Sequence, residues 1–289
     1  VPADDQAVPN LAFGFDNSFE SSNMPSNLQG LMNQYKMELL TFIDDQAEPT
    51  DEIAEKWNYY LSGNVQPNRD RDVSPLMDAE FDQSGSWNNG IQAEIGFNGP
   101  VGCVAVAMCQ VMHYWKYPEH GTGSNYYDEG EYSNNENGNI AVDFEDAFYD
   151  FDNMAATYAT SASQLLIYHT GISVNMDYEY AGSGALTGGS YPSAEYALEN
   201  FFAYGQDINE KYRDDYSTDT EFRNILKDQL EHHQPILYSG YEDNNYNGGH
   251  AWNIDGYQNN NLHCNWGWGG WNNGYFNLSS MGGFSSHQG

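Results

Sequence analysis

The sequence is poor in basic residues, although it is rich in acidic ones. Lys and Arg account for only 9 of its 289 residues, against 42 Asp and Glu, giving a formal net charge of −33 at pH 7. Nucleic acids and anionic membranes both bind through basic side chains, so this composition argues against either as a partner. The acidity is spread along the chain, which is typical of a solvated surface. No calcium-loop motif occurs, so the sequence identifies no metal site and no cofactor.

Cysteines and long apolar runs are also scarce. Three cysteines, an odd number, do not make a disulfide framework, so at least one thiol stays free. No apolar run approaches the length of a membrane span. The first residue is Val1 in place of an initiator Met, which leads us to expect that a leader has been removed.

Periodicity divides the chain into a helical part and a strand-rich last third. Apolar residues at helical spacing predict helices over residues 25–43, 50–61, 103–115, 162–169, 192–202 and 221–230. Short aromatic and β-branched runs predict antiparallel strands over residues 236–240, 251–257, 261–266 and 274–278. Two stretches without periodicity, 121–139 and the glycine-rich 177–189, are predicted to be loops. Helices followed by strands predict an α+β fold.

A polar and charged stretch from Asn64 to Asp72 is the best linker candidate in the sequence. It is bracketed by turn-forming residues and has no apolar periodicity. We therefore place a domain boundary near residue 72, which divides the chain into residues 1–72 and 73–289.

The most informative stretch places a cysteine before an apolar helix. Cys103 follows Gly102 and begins a run whose apolar residues recur at helical spacing up to Trp115. The unpaired backbone N–H groups and the dipole at a helix N-terminus favour the thiolate, which is the nucleophilic form. A lone cysteine in this position is more often a small core residue. The pattern alone therefore leaves both interpretations open.

A nucleophilic cysteine needs a base, and the chain contains eight histidines. Most of them lie in predicted loops or near helix ends. His250 differs, because it follows Gly248 and Gly249 and opens a predicted strand. Two glycines allow the backbone to approach a facing helix closely. On this ground alone, a structural and a catalytic role for His250 are equally favoured.

Four ordered blocks of the sequence resemble the streptopain family of papain-like cysteine peptidases. The blocks are Gly102 to Pro118, Gly171 to Gly184, Gly248 to Ala251, and His263 to Gly270. The resemblance covers most of residues 73–278. It implies a papain-like α+β fold, in which a helical subdomain packs against an antiparallel sheet or barrel-like subdomain. It also implies that residues 1–72 are part of a propeptide and that 73–289 form the catalytic domain.

The resemblance implies a role for each matching catalytic residue. Cys103 would be the nucleophile, with His250 as general base and then general acid. Gln83 would form an oxyanion hole together with the backbone N–H of Cys103. The other two thiols are not expected to be catalytic, because Cys109 is turned away from Cys103 on the helix and Cys264 faces away from Asn265 on its strand.

Five further residues receive a role from the same resemblance. Asn265 and Trp266 lie where these enzymes place the group that orients the imidazole and the indole that shields it, but the sequence does not say which neighbour accepts from the ring. Ser183, Gly184 and Gly249 would line the substrate cleft.

The sequence therefore predicts a secreted cysteine endopeptidase in zymogen form. Its partners would be protein or peptide substrates, with its own propeptide as intramolecular inhibitor, and no cofactor would be needed. Two alternatives stay open. One is an amidase or acyltransferase that uses the same Cys-His pair. The other is a non-catalytic protein whose many Tyr and Trp side chains form a carbohydrate- or protein-binding face.

Overall fold

The structure is a computed structural model that describes residues 1–15, 21, 24–45, 48–63, 72–131, 137–240, 249–277 and 287–288. Its helices are α1 (Ser26–Asp44), α2 (Asp51–Leu61), α3 (Asn89–Ile95), α4 (Cys103–Trp115), α5 (Ser161–Ser173), α6 (Ala194–Asn200) and α7 (Asp219–Glu231). Its strands are β1 (Ala12–Phe13), β2 (Ser124–Asp128), β3 (Asn139–Asp143), β4 (Ile236–Gly240), β5 (His250–Gln258), β6 (Asn261–Asn265), β7 (Gly274–Asn277) and β8 (His287–Gln288).

The helix α4 is the centre of the helical lobe. Every residue from Val104 to His113 is buried, because α5 packs on one side of α4 and β5 on the other. Its sequence is accordingly apolar nearly all round rather than along one stripe. The partner helix α5 begins with a capping box in which Thr160 and Ser163 satisfy each other's backbone N–H groups. The two helices form the main apolar core.

The sheet of the second lobe is antiparallel, with the strand order β1-β7-β6-β5-β4-β8. Side chains alternate between its two faces, as in any strand. On β5, Asn253 points toward α4 and donates a hydrogen bond to the Ala107 carbonyl. Trp252 and Ile254 belong to a second apolar cluster. The sheet therefore separates two cores.

The second face of the sheet is covered by α7 and α1. From α7 the cluster takes Phe222, Leu226 and Leu230, and from α1 it takes Leu28, Leu31 and Tyr35. The helix α7 starts with a second capping box, formed by Thr218 and Glu221. The first part of the chain therefore completes a core that the remainder leaves open on this face.

The first part of the chain also extends the sheet at its edge. Strand β1 pairs with β7, so that Phe13 lies opposite Tyr275, and their rings stack at 4.9 Å. The described chain resumes at Asp72, and Val73 forms an isolated bridge to Tyr257. The predicted linker lies outside the described residues except for Asp72, and the domain boundary stays a prediction.

The predicted α+β, papain-like architecture is confirmed, and each predicted helix and strand has a counterpart. Leu278, the last residue of the final predicted strand, lies outside the described residues. The prediction that 121–139 is a loop was wrong over part of its length, because Ser124–Asp128 forms β2 and pairs with β3. In β2 the buried residues are Asn125 and Tyr127. An alternation that rests on one asparagine and one tyrosine gives little apolar signal. The short elements α3 and β1 were also missed, because 7 and 2 residues are too few to show a period.

The burial of α1 can be tested with two leucines on the same helix. Leu31 is 0 % exposed and Leu40 is 52 % exposed. We expect Leu31→Ala to lower the free energy of unfolding by about 2–5 kcal/mol, because it leaves a cavity in the second core. Leu40→Ala should change it by no more than about 0.5 kcal/mol. Denaturant unfolding of both variants provides the comparison, and equal small effects would show that α1 does not pack on the sheet.

Candidate active site

The turn before α4 fixes where Cys103 stands. Gly102 has a φ of 96°, a conformation that favours glycine. A Cβ on this residue would lie 2.6 Å from the side chain of Met176. The dihedral angle therefore favours a glycine here, and Cys103 is the first residue of the helix that follows.

The sulfur of Cys103 is half-buried and surrounded by backbone groups. Burial raises the pKa of the thiol above its ordinary value. The backbone N–H groups of Ala251, Val104 and Cys103 itself act in the opposite direction, because they stabilise the thiolate. The contact with Ala251 places the sulfur beside the residue that follows His250. The packing of α4 on β5 thus places Cys103 beside the start of the strand that carries His250.

His250 is 3 % exposed, and its ring nitrogen Nε2 lies 3.0 Å from the carbonyl oxygen of Trp266. A carbonyl only accepts hydrogen bonds, so Nε2 carries the proton and donates it. Burial lowers the pKa of His250 to about 4, so the ring is neutral at pH 7. A neutral imidazole protonated on Nε2 has a free lone pair on Nδ1. His250 can therefore accept a proton through Nδ1.

Tryptophan rings enclose the imidazole. The Trp268 ring stacks on it with a centroid distance of 4.8 Å and an interplanar angle of 18°. The rings of Trp252 and Trp266 lie farther away, at 5.8 and 6.2 Å. The sequence prediction gave the shielding role to Trp266, whereas the ring closest to His250 among the three is that of Trp268. The alternating Trp-Gly-Trp-Gly run after Asn265 is the signal that could have identified it.

The structure does not place Asn265 at the imidazole. Its Nδ2 donates to the Ala79 carbonyl at 2.8 Å and its Oδ1 accepts from Gln110 at 3.0 Å. The side chain points to the α4 face of the sheet, whereas the ring of His250 stacks with Trp252 on the other face. The predicted orienting role of Asn265 is therefore corrected. The group that contacts the ring belongs instead to the next residue, since the backbone carbonyl of Trp266 accepts the hydrogen bond from His250 Nε2.

Gln83 lies on a segment that is tied to both sides of the site. Its carbonyl oxygen accepts from the N–H of Val101 at 2.8 Å, two residues before Cys103. The neighbouring Phe81 carbonyl accepts from the N–H of Gly269 at 3.0 Å. These bonds hold Gln83 between the cysteine turn and the loop that carries Trp268. The side chain is half-buried, and its role as an oxyanion donor stays a prediction.

The predicted cleft residues hold a loop against the cysteine turn. The hydroxyl of Ser183 donates to the Pro100 carbonyl at 2.6 Å, and the backbone of Gly184 makes both hydrogen bonds of a bridge with Asp177. The Ser183 hydroxyl and the Gly184 backbone groups are therefore used inside the fold. Gly249 is exposed and directly precedes His250. A contact of these residues with substrate stays a prediction.

The other two thiols lie away from this chemistry. Cys109 and Cys264 are 0 % exposed, and the sulfur of Cys109 lies 3.2 Å from the hydroxyl of Thr170. Burial raises the pKa of both thiols, so they stay protonated. Within the described residues, no group of three or more His, Cys, Asp or Glu side chains is placed to hold a metal ion. The helices of the same residues include none long and apolar enough to cross a membrane.

Comparison with known sequences shows which proteins this chain is similar to. A model of the Peptidase C10 family matches residues 81–276. The thiol protease/hemagglutinin PrtT of Porphyromonas gingivalis is 28% identical over 97% of this chain and 32% of its own length. Streptopain of Streptococcus pyogenes is 33% identical over 66% of this chain and 49% of its own length. The chain thus spans about a third to a half of the length of these relatives.

Two solved structures from Prevotella intermedia have the same fold. A fragment of prointerpain A, from a mutant in which one cysteine is replaced by alanine, superposes with a TM-score of 0.76 at 24% identity and covers all of this chain and 90% of that one. Active interpain A superposes with a TM-score of 0.63 at 27% identity, over 78% of this chain and 97% of that one. The likeness to the pro-form fragment extends over residues 1–72 as well.

The buried histidine gives a specific dependence of stability on pH. The pKa of His250 is about 4 in the folded chain, below the value of about 6.5 that histidine has when exposed. Between these values the unfolded chain binds the proton and the folded chain does not, so stability is lost as the pH falls from about 6.5 to 4.

We expect wild type, compared with His250→Gln, to lose about 3 kcal/mol more between pH 7 and pH 4. Denaturant unfolding at several pH values measures the difference, and the neutral glutamine is the control for all other titrating groups. A constant difference across this range would show that the ring is not held neutral.

Proposed function

This chain belongs to the Peptidase C10 family, and from that membership we propose that it is a cysteine endopeptidase. The observation that carries the proposal is that a cysteine at a helix start meets the strand that begins with a histidine. The sulfur of Cys103 lies against the N–H of Ala251, and the adjacent His250 is held through Nε2 by the Trp266 carbonyl. A nucleophile, a base and a group that orients the base are the three parts that acyl transfer requires.

The reaction would begin from a neutral thiol and a neutral imidazole, since burial disfavours both charged forms. His250 would accept the thiol proton on Nδ1 as Cys103 attacks the peptide carbonyl. The backbone N–H groups beside the sulfur then stabilise the thiolate character that develops. His250 would return the proton to the leaving amine, and a thioester acyl-enzyme would form. Water would attack the thioester with His250 again acting as base.

The tetrahedral intermediate needs donors for its oxyanion. Cys103 is the first residue of α4. Its backbone N–H therefore has no hydrogen-bond acceptor within the helix. The backbone carbonyl of Gln83 accepts a hydrogen bond from the N–H of Val101, which precedes Cys103 by two residues. These positions support Gln83 as the second donor, because preorganised donors at the developing charge contribute most to such catalysis. Ser183, Gly184 and Gly249 are proposed to line the substrate cleft beside them.

We further propose that residues 1–72 keep the enzyme latent until they are removed. Two observations support this. The pro-form fragment of interpain A matches this segment together with the rest of the chain. The helix α1 packs on the same cluster as Trp252 and Trp266, whose rings lie near His250. Removal of the segment would therefore expose and loosen the sheet face that holds the imidazole. A latent precursor suits a secreted peptidase, which must not act inside the cell that makes it.

The Cys-His pair is tested by substitution and by labelling. Cys103→Ala and His250→Ala should each abolish casein hydrolysis, because one removes the nucleophile and the other removes its base. An epoxysuccinyl inhibitor should label Cys103, faster after removal of residues 1–72 than before. Cys109→Ala is the matched control, since it removes a buried thiol from the same helix and should leave labelling unchanged. Hydrolysis by the Cys103→Ala protein would refute the proposed activity. Equal labelling before and after trimming would refute latency only.

The oxyanion hole is tested at Gln83. We expect Gln83→Ala to lower kcat on a peptide substrate by about 10²- to 10³-fold with a small change in KM, because the donor acts mainly in the transition state. The neighbouring Ser84→Ala is the control, since within the described part of the chain its hydroxyl donates to Asp82, outside the proposed oxyanion hole. Steady-state kinetics on both variants give the comparison. A loss of less than about threefold for Gln83→Ala would remove this residue from the oxyanion hole.

A further inference from the structure

Three amide side chains are fully buried where the cysteine helix meets the sheet. Gln110 lies on α4, Asn253 on β5 and Asn265 at the end of β6. Their exposed fractions are 0, 0 and 2 %. A buried amide costs free energy unless its donors and acceptor find partners, and an apolar side chain would fill the same space without that cost. The reaction described above uses none of the three as a chemical group, so their place in the core needs another explanation.

Gln110 is the hub of this cluster. Its Nε2 donates to the Ala79 carbonyl at 2.9 Å and to Asn265 Oδ1 at 3.0 Å. Its Oε1 accepts from Asn253 Nδ2 at 2.9 Å. The same Nδ2 donates to the carbonyl of Ala107 on α4 at 3.1 Å. Both ends of the Gln110 amide are therefore bonded, and they join one helix to two strands and to the segment before Phe81.

Each partner of Gln110 is close in sequence to a residue of the proposed active site. Gln110 itself follows Cys103 by seven residues, which is two helical turns along the same face. Along the sequence, Asn253 is close to Ala251, Asn265 is next to Trp266, and Ala79 is close to Gln83. One side chain thus contacts the segments that carry the nucleophile, the base, the carbonyl that holds the base, and the oxyanion donor.

Apolar contacts between a helix and a sheet are non-directional, so they do not by themselves fix how far the helix is shifted along the strands. Hydrogen bonds do fix it, since they weaken steeply with distance and angle. We infer that Gln110 is a positioning residue that sets the register of α4 against β5 and β6, and with it the position of Cys103 relative to the strand that carries His250. The inference rests on the proposed peptidase function.

The test replaces Gln110 by a side chain of similar length without hydrogen-bonding groups. The full chain carrying Gln110→Met is incubated until its casein-hydrolysing activity no longer rises. Its kcat should then be about 10- to 100-fold lower than that of wild type, because small displacements of reacting groups are costly. KM should stay within about twofold, since the cleft is not altered. The pH profile of Cys103 alkylation by iodoacetamide should also shift, because the sulfur moves relative to the Ala251 N–H. The Cys103→Ala chain provides the blank for alkylation.

The matched control is Thr170→Val. Thr170 is buried, and its hydroxyl donates to the carbonyls of Ala105 on α4 and Ile167 on α5. The substitution therefore removes buried hydrogen bonds beside α4 without touching the strands. We expect it to lower stability while kcat and the alkylation profile stay within about twofold of wild type. If Gln110→Met also lowered stability but left kcat and the profile unchanged, Gln110 would be a purely structural residue and the inference would be wrong.

A second variant covers the case in which Gln110→Met does not fold. Gln110→Glu keeps the shape and the acceptor for Asn253, but an ionised carboxylate has no proton to donate to Ala79 or Asn265. Its kcat relative to wild type should recover as the pH falls, because protonation restores one donor. A kcat equal to that of wild type at every pH would contradict the inference. If wild type itself neither hydrolyses casein nor reacts at Cys103, the proposed function fails instead, and the two failures are thereby distinguished.

Discussion

The packing of α4 on β5 is the contact on which the rest of the structure depends. Together with α5 it buries the helix from Val104 to His113, and it brings Cys103 at the helix start against Ala251 at the strand start. Neither lobe contains both reactive groups. The site is therefore a property of the interface between the two lobes, and anything that shifts the helix along the strand alters the distance and angle between thiol and imidazole.

The same burial determines the electrostatics of the site. An enclosed thiol and an enclosed imidazole both favour their neutral forms, so the pKa of Cys103 is raised and that of His250 falls to about 4. Backbone dipoles supply the polar contacts that remain, through N–H groups at the sulfur and the Trp266 carbonyl at the ring. Backbone groups cannot titrate, and so they orient the pair without adding a charge that would have to be compensated.

The two faces of the central sheet have different partners, which links the first part of the chain to the site. One face holds α4 and the amide cluster around Gln110. The other face holds the tryptophans around His250 and is closed by α7 and by α1. A change in the first 72 residues would thus reach the imidazole through the rings that pack beside it, from the side of the sheet opposite to α4.

The sequence alone determined the α+β order of elements, the cysteine at a helix start and the histidine at a strand start, because periodicity and glycine positions are local properties of the chain. It did not determine which face of the sheet each side chain would meet. Asn265 was therefore assigned to the imidazole but lies on the α4 face, while the ring of Trp268 covers His250. Only the tertiary structure decided this, since the docking of α4 on β5 joins residues more than 140 positions apart.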